Sequence, residues 1–465
     1  MQSGWIEKGV PAGVALVGAA FLSLWITGYF RASGFRERSL GMDPVRTTAV
    51  SAAGTGSAPS FYHPEVTVDP LPGLWPGYRG PNRDGVNSEA TRLARSWPPS
   101  GPKVLWSVAL GEGYAAPAVR NGRVYILDYD QGAQCDALRC FSLASGAEIW
   151  RRSYPVVVKR NHGMSRTIPA VTDKYVVSLG PKCNVMCCDA VTGAVKWQID
   201  LVRDYGTTVP EWYAGQCPLI DGNRAILAPG GKALMIAVDL ETGKVVWQTP
   251  NPRNWQMTHS SIMPMTFAGK PMYVYCGSGG VAGVSTKDGA ILWDTTEWTI
   301  NTATIPTPIP IGDGRVFLCG GYDSGAMMLR LVDEGGKIAA RPLYRLASTV
   351  FGSDQQTPLL YQGHIYGVRP SGEMVCLGLD GKIVWTSGNT QTFGLGAYTI
   401  ADVLLFAIGD NGKLTMAEAS PAGWKPLAQA KVLDGPDCWG PMAVVGGRLL
   451  ARDLNHMVCL DVAAH

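Results

Sequence analysis

Most of the chain reads as short apolar runs broken by polar turns, with a period too short for helices. The fullest pattern is "AVDLETGKVVW", Ala237 to Trp247: an apolar run, an Asp-led turn closed by glycine, and an alternating return that ends in tryptophan. Near-copies end at Trp150 ("CFSLASGAEIW"), Trp197 ("CCDAVTGAVKW"), Trp293 ("GVSTKDGAILW") and Trp385 ("CLGLDGKIVW"). The residue types explain the shape. Asp189 and Asp239 can bond their side chains to backbone N–H groups of the turn. Gly146, Gly193, Gly243, Gly289 and Gly381, each four residues before the tryptophan, supply the positive φ that closes it. Each copy therefore predicts a β-hairpin, and its tryptophan can cover the apolar seam against a neighbouring sheet.

The copies are evenly spaced. Trp106, Trp150, Trp197, Trp247 and Trp293 are separated by 44, 47, 50 and 46 residues. Trp293 and Trp385 are 92 apart, room for one degenerate copy, "LRLVDEGGKIAARPLY", ending near Tyr344; another, "MAEASPAGWKPL", ends near Leu427. About thirty residues before each tryptophan stands a proline in a short apolar run: Pro117, Pro169, Pro218, Pro264, Pro308, Pro358 and Pro441, with Tyr398 in the remaining unit. The chain stops after "MVCLDVAAH" without a returning strand, and "GPKVLWSV" near its front is a returning strand with no turn before it. Pairing the two closes a ring. The expected fold is all-β: an eight-bladed β-propeller of four-stranded blades over residues 103–465, closed by its N- and C-terminal strands.

The A-x-D-x-x-T-G-x-x-x-W pattern of Ala237 to Trp247 and Cys188 to Trp197 resembles the pyrroloquinoline-quinone-like (PQQ-like) repeat family. That family includes quinoprotein dehydrogenases and a non-catalytic lipoprotein of outer-membrane β-barrel assembly, both extracytoplasmic. The resemblance covers nearly all of the propeller and is specific for the fold.

Ahead of the propeller, residues 1–8 form a short flank and Gly9 to Phe30 carries no charge. As a helix these 22 residues span about 33 Å, enough for a bilayer core. One N-terminal transmembrane anchor is expected, followed by a linker over 31–70 and a strap over 71–102 that leads into the ring. Lys8 on one side and Arg31, Arg36, Arg38 and Arg46 on the other would place the propeller in the cytoplasm by charge count. The family resemblance implies the opposite, a periplasmic propeller.

A net charge of +3 with no basic run makes nucleic acid an unexpected partner. The 11 cysteines show no regular framework. Cys135 with Cys140, or Cys183 with Cys187, could pair in an oxidising compartment. "GEGYAA", Gly111 to Ala116, joins two strands with no helix behind it and is not a dinucleotide motif. No haem, zinc or calcium-loop signature occurs, and no metal site is expected.

Ligand or partner residues should lie on the long loops that cross from one blade's outer strand to the next blade's inner strand, around the channel mouth. Those loops carry His162, Arg166, Glu211, Trp212, Tyr213, Gln216, Trp255, His259, Trp298, Asn301, Asp354, Gln355, Gln356, Asp437 and Trp439. A ring of aromatics with His, Arg and carboxylates suits a planar or sugar-like ligand or a peptide. The main expectation is a membrane-anchored, non-enzymatic scaffold that holds a protein or envelope component, with no cofactor. A PQQ/Ca²⁺-dependent dehydrogenase is the first alternative. The resemblance would then imply Ca²⁺ ligands and a base drawn from Asp354, Asp437 or Glu211 with Asn301, and an adjacent-cysteine disulfide, here Cys187–Cys188. Such a bridge would distort the strand that carries it, which favours two buried thiols on opposite faces. The second alternative is a carbohydrate or small-ligand module using Trp212, Trp255, Trp298 and Trp439.

Overall fold

Eight antiparallel sheets, each built on four strands in sequential order, follow one another along the chain. The computed structural model describes residues 60–161 and 163–465, together with Gly18, Ala19, Leu22 and Ser23, which are helical. The expected anchor, Gly9 to Phe30, otherwise lies outside the described residues, as do the flank and residues 31–59 of the linker. Among the described residues no helix is long and apolar enough to cross a membrane.

Blade 1 runs from Ala118–Arg120 to Glu148–Pro155, and blade 7 from Tyr398–Ala401 to Pro426–Lys431. Blade 8 holds three strands, Ala443–Val445, Arg448–Arg452 and His456–Asp461, and is completed by Lys103–Ala109 from the front of the propeller. Trp106 there faces Cys459 in the register that every other blade uses within itself.

Trp106, Trp150, Trp197, Trp247 and Trp385 each lie on the turn of the following blade. A Cβ on Gly146 would stand 2.8 Å from the Trp106 ring, and one on Gly193 2.7 Å from that of Trp150. Gly243 and Gly289 meet Trp197 and Trp247 in the same way. The indole N–H groups of Trp106, Trp197 and Trp385 donate to the carbonyls of Leu143, Leu240 and Ser420, at 2.8–2.9 Å. Tyr344 takes this place in blade 5, its hydroxyl donating to Leu379 O at 3.1 Å. Trp293 departs from the pattern and turns its N–H to Met272 Sδ within its own blade.

All eight outer hairpins carry a bulge at one position, the residue before the tryptophan. The extra residue bends the outer strand and leaves side chains such as Val246 and Val384 facing solvent. In blade 7 this register puts Ala428, not Leu427, at the tryptophan position. The bulge also accounts for much of the cysteine content. Cys140, Cys187, Cys376 and Cys459 each sit opposite the tryptophan of their blade, where only a small side chain fits under the indole. Ala237 and Gly283 fill the same place elsewhere.

All 11 cysteines are buried free thiols, so neither Cys135 with Cys140 nor Cys183 with Cys187 is paired. Cys187 packs toward blade 3 and Cys188 toward blade 1, on opposite faces of one strand.

The strap differs from expectation in two ways. It starts earlier, because Ser60–Tyr62, assigned to the linker, pairs with the outer strand of blade 1. It also crosses the channel. Leu74–Trp75 adds to the inner strand of blade 1, and Val86–Asn87 adds in parallel to that of blade 7. Between them Arg79 donates to the carbonyls of Thr357, Pro358, Asp84 and Arg83 at 2.6–3.0 Å. The Tyr78 hydroxyl bonds Thr357 Oγ1 at 2.8 Å and Thr307 Oγ1 at 3.2 Å.

Those two threonines belong to a belt around the channel. The backbone N–H of Ile168 donates to Cys217 Sγ, that of Cys217 to Ser261 Oγ, that of Ser261 to Thr307 Oγ1 and that of Thr307 to Thr357 Oγ1. The belt joins five consecutive blades at the start of their inner strands and satisfies N–H groups that the sheets leave unpaired.

Candidate functional site

Between the strap and the crossing loops lies a cavity of about 350 Å³. Trp75, Tyr78 and Arg79 form part of its wall from the strap side, and Arg166, Trp212, His259, Gln355, Gln356 and Trp439 reach it from the loops. Tyr114, Tyr322 and Tyr398 complete the aromatic lining.

The loop groups hold each other in place. Trp212 and His259 have ring centroids 6.3 Å apart, and Tyr114 and Trp439 4.9 Å apart. The Arg166 guanidinium lies 5.2 Å from the Tyr114 ring centroid and donates to the carbonyls of Trp212 and Asn161. Trp439 Nε1 donates to Asp410 Oδ1 at 2.8 Å, and the Tyr114 hydroxyl to Asp437 Oδ2 at 3.3 Å. Gln355 and Gln356 donate their amides to carbonyls of blade 7's entry loop, Leu395, Gly394 and Gly396.

Burial sets the protonation states. It pulls the Arg166 pKa down to about 10, which leaves the side chain charged at neutral pH. Burial, with Arg166 nearby, pulls His259 down to about 4, so its imidazole is neutral. Burial also raises the Asp354 carboxyl above its ordinary range.

Other expected site residues are placed elsewhere. His162 lies outside the described residues. Trp255 and Trp298 are buried between blades: Trp255 covers the backbone of Gly277, Gly279 and Gly280, and Trp298 packs against Ile300 and Leu318. Neither indole reaches the cavity, which leaves the carbohydrate alternative only Trp212 and Trp439. Gln216 is buried and pairs with both the N–H and C=O of Ala228. Tyr213, in a left-handed conformation at φ 68°, donates its hydroxyl to Lys159 O. Glu211 and Asn301 are exposed. Asp354 is half-buried against Gly321, outside the lining.

The sequence reading did not select Tyr114 or Tyr322 for the site. Tyr114 comes from the "GEGYAA" stretch that leads into blade 1. Tyr322 sits on a loop between the middle strands of blade 5, where only the run "CGGYDSG" hints at an unusual turn.

The resemblance implies a quinone held with Ca²⁺, and the donor set does not fit it. No Asp or Glu lines the cavity, whereas Ca²⁺ takes six to eight oxygen ligands, carboxylates prominent among them. Among the described residues no group of three or more His, Cys, Asp or Glu is placed to hold a metal ion. Cys187 and Cys188 are unbonded and absent from the lining.

A family model described as outer membrane protein assembly factor BamB matches residues 134–387. Outer membrane protein assembly factor BamB of Yersinia pestis is 21% identical over 225 residues, 45% of this chain and 55% of that protein. The chain thus spans about half the length of that curated relative. Among solved structures, BamB from Moraxella catarrhalis aligns with a TM-score of 0.53 at 15% identity, over 77% of this chain and 99% of that one. Quinohemoprotein alcohol dehydrogenase from Comamonas testosteroni aligns at 0.59 and 11% identity, over 86% and 82%. At these identities the structural likenesses show the fold alone.

Proposed function

Because the chain belongs to the outer membrane protein assembly factor BamB family, we propose that it is a non-enzymatic scaffold of the cell envelope that docks a protein of outer-membrane assembly on its channel-mouth face. Tyr322 carries this reading. It lines the cavity yet is 48% exposed, and it stands at φ 53° beside Asp323 at φ 61°. Two successive non-glycine residues in the left-handed region are costly, and strain of this kind concentrates at binding sites. An exposed aromatic at a rim is the kind of side chain that anchors protein interfaces. Replacing Tyr322 with alanine is expected to weaken capture of that partner about tenfold, the loss of roughly 1.4 kcal/mol. The thermal midpoint should be unchanged, and equal capture by native and variant chains in a quantitative pull-down would refute the assignment.

The proposal places the propeller outside the cytoplasm, tethered by the uncharged stretch Gly9 to Phe30. The family membership and the apolar length of that stretch support this reading, against the charge count of its flanks. A reporter enzyme active only in the periplasm, fused after His465, should be active.

No cofactor is part of the proposal. Calorimetric titration of the full chain with PQQ and Ca²⁺ should give no saturable heat, and added alcohols or aldose sugars should reduce no dye. One-to-one binding with turnover would move the protein to the dehydrogenases.

A further inference from the structure

The cavity at the channel mouth, about 350 Å³, lies at the small end of the range for ligand pockets. It is continuous with the face on which a protein is assigned to dock, since Tyr322 both lines it and is 48% exposed. Trp212, Gln355 and Trp439 also line it and are only half-buried, so it is reached from the loop side.

The charged groups of the wall, and most of its hydroxyl and amide groups, already bond to the protein. Trp439 gives its N–H to Asp410 Oδ1 at 2.8 Å, and the Tyr78 hydroxyl bonds Thr357 Oγ1 at 2.8 Å. Arg79 donates to four backbone carbonyls, and the Gln356 amide to Gly394 O at 3.0 Å and Gly396 O at 3.1 Å. The wall contains no Asp or Glu. What it offers an occupant is mainly aromatic and aliphatic surface. A site for a free small molecule fixes its ligand with a few aimed polar groups, and this wall holds few in reserve. It suits a side chain positioned by the chain that carries it, as aromatic anchors are at protein interfaces. The Trp212 indole N–H and Gln355 Oε1 bond to nothing among the described residues. One donor and one acceptor on half-buried residues complement the peptide group behind such a side chain.

We propose that the protein docking on this face inserts one large, uncharged aromatic side chain, a phenylalanine or tryptophan, into the cavity. This rests on docking at the channel mouth and names the part of the partner that the propeller grips. A charged tip is disfavoured. No carboxylate in the wall neutralises a cation, and an anion would compete with the backbone carbonyls that already hold Arg79 and Arg166.

The purified full chain, without any partner, is titrated with 4-fluorotoluene, 4-fluorobenzoate and 4-fluorobenzylammonium, read by ¹⁹F NMR. The neutral ring should bind saturably and at least about tenfold tighter than either charged one, because only the charged rings lose hydration that the wall does not replace. Leu395→Trp and Ile305→Trp, on the entry loops of two different blades, fill the cavity and should each abolish that binding at an unchanged thermal midpoint. Having two such variants covers the failure of one to fold. In envelopes, a photoreactive phenylalanine analogue at Trp439, in the wall, should join the same protein as one at Tyr322, next to an aromatic residue of that protein. No saturable binding of the neutral ring, tighter binding of a charged ring, or ring binding that persists in the folded, filled variants would overturn the proposal. So would an adduct from position 322 with none from 439, a result that leaves the docking assignment standing. Adducts from neither position would remove the docking assignment and the insertion with it.

Discussion

Asp136→Asn is expected to raise stability at pH 8, by up to roughly 4 kcal/mol at about 1.4 kcal/mol per unit of pKa shift, and to remove a pH dependence that the native chain shows. Asp136 is fully buried beneath the junction of blades 1 and 2. It accepts from the Tyr154 hydroxyl at 2.7 Å and the Ser165 hydroxyl at 3.4 Å, and no cation pairs with it among the described residues. Burial pushes its carboxyl up from 3.8 to about 7, and the two hydroxyl donors offset only part of that. Between these values the folded chain keeps a proton that the unfolded chain has released. The stability it contributes is therefore complete below about pH 4, falls as pH rises, and is lost above about pH 7. The asparagine keeps an oxygen to accept from Tyr154 and carries no charge. Urea unfolding of both proteins at pH 4.5, 6 and 8 checks this, and parallel curves would rule out a buried, neutral Asp136.

Trp150→Ala is expected to cost about 3–5 kcal/mol, the range for emptying a fully buried aromatic site. Trp150 is completely buried between blade 1 and the Gly193 turn of blade 2, with Tyr125 at a ring distance of 5.9 Å. Its indole N–H has no partner, unlike those of Trp106, Trp197 and Trp385. Trp150→Phe gives up no hydrogen bond and should cost markedly less than the alanine. The same exchange at Trp197 leaves the Leu240 carbonyl only the weak 3.8 Å contact of the Cys187 thiol and should cost more than at Trp150. Denaturation midpoints of the three variants decide it. Equal losses for phenylalanine at 150 and 197 would mean that the docked N–H contributes nothing to joining blades.

The propeller was legible because its signals are local. A turn glycine, the Asp before it and a tryptophan four residues on lie within one hairpin, and the returning strand that the last unit lacks and the front of the propeller supplies specifies the closure. The bulge was not legible, since "KVVW" reads as plain alternation until the register is known. Neither was the reason for Cys140, Cys187, Cys376 and Cys459, which is their place opposite a tryptophan. Trp255 and Trp298 look in sequence like Trp212 and Trp439. A clue to Trp255 was present in "GSGG", Gly277 to Gly280, where a row of missing side chains makes room for a ring. The cavity itself was out of reach, because its walls join residues hundreds of positions apart. The bond from Tyr78 to Thr357 spans 279 residues, and no short-range pattern encodes it.

Site-specific photocrosslinking in intact envelopes tests the central claim most directly. A photoreactive phenylalanine analogue replaces Tyr322 at the channel mouth or, as a control, Val246 on the solvent-facing outer edge of blade 3. The scaffold reading predicts one discrete adduct from position 322, containing a protein of outer-membrane assembly, and none from position 246. No adduct at 322, or the same products from both positions, would contradict it.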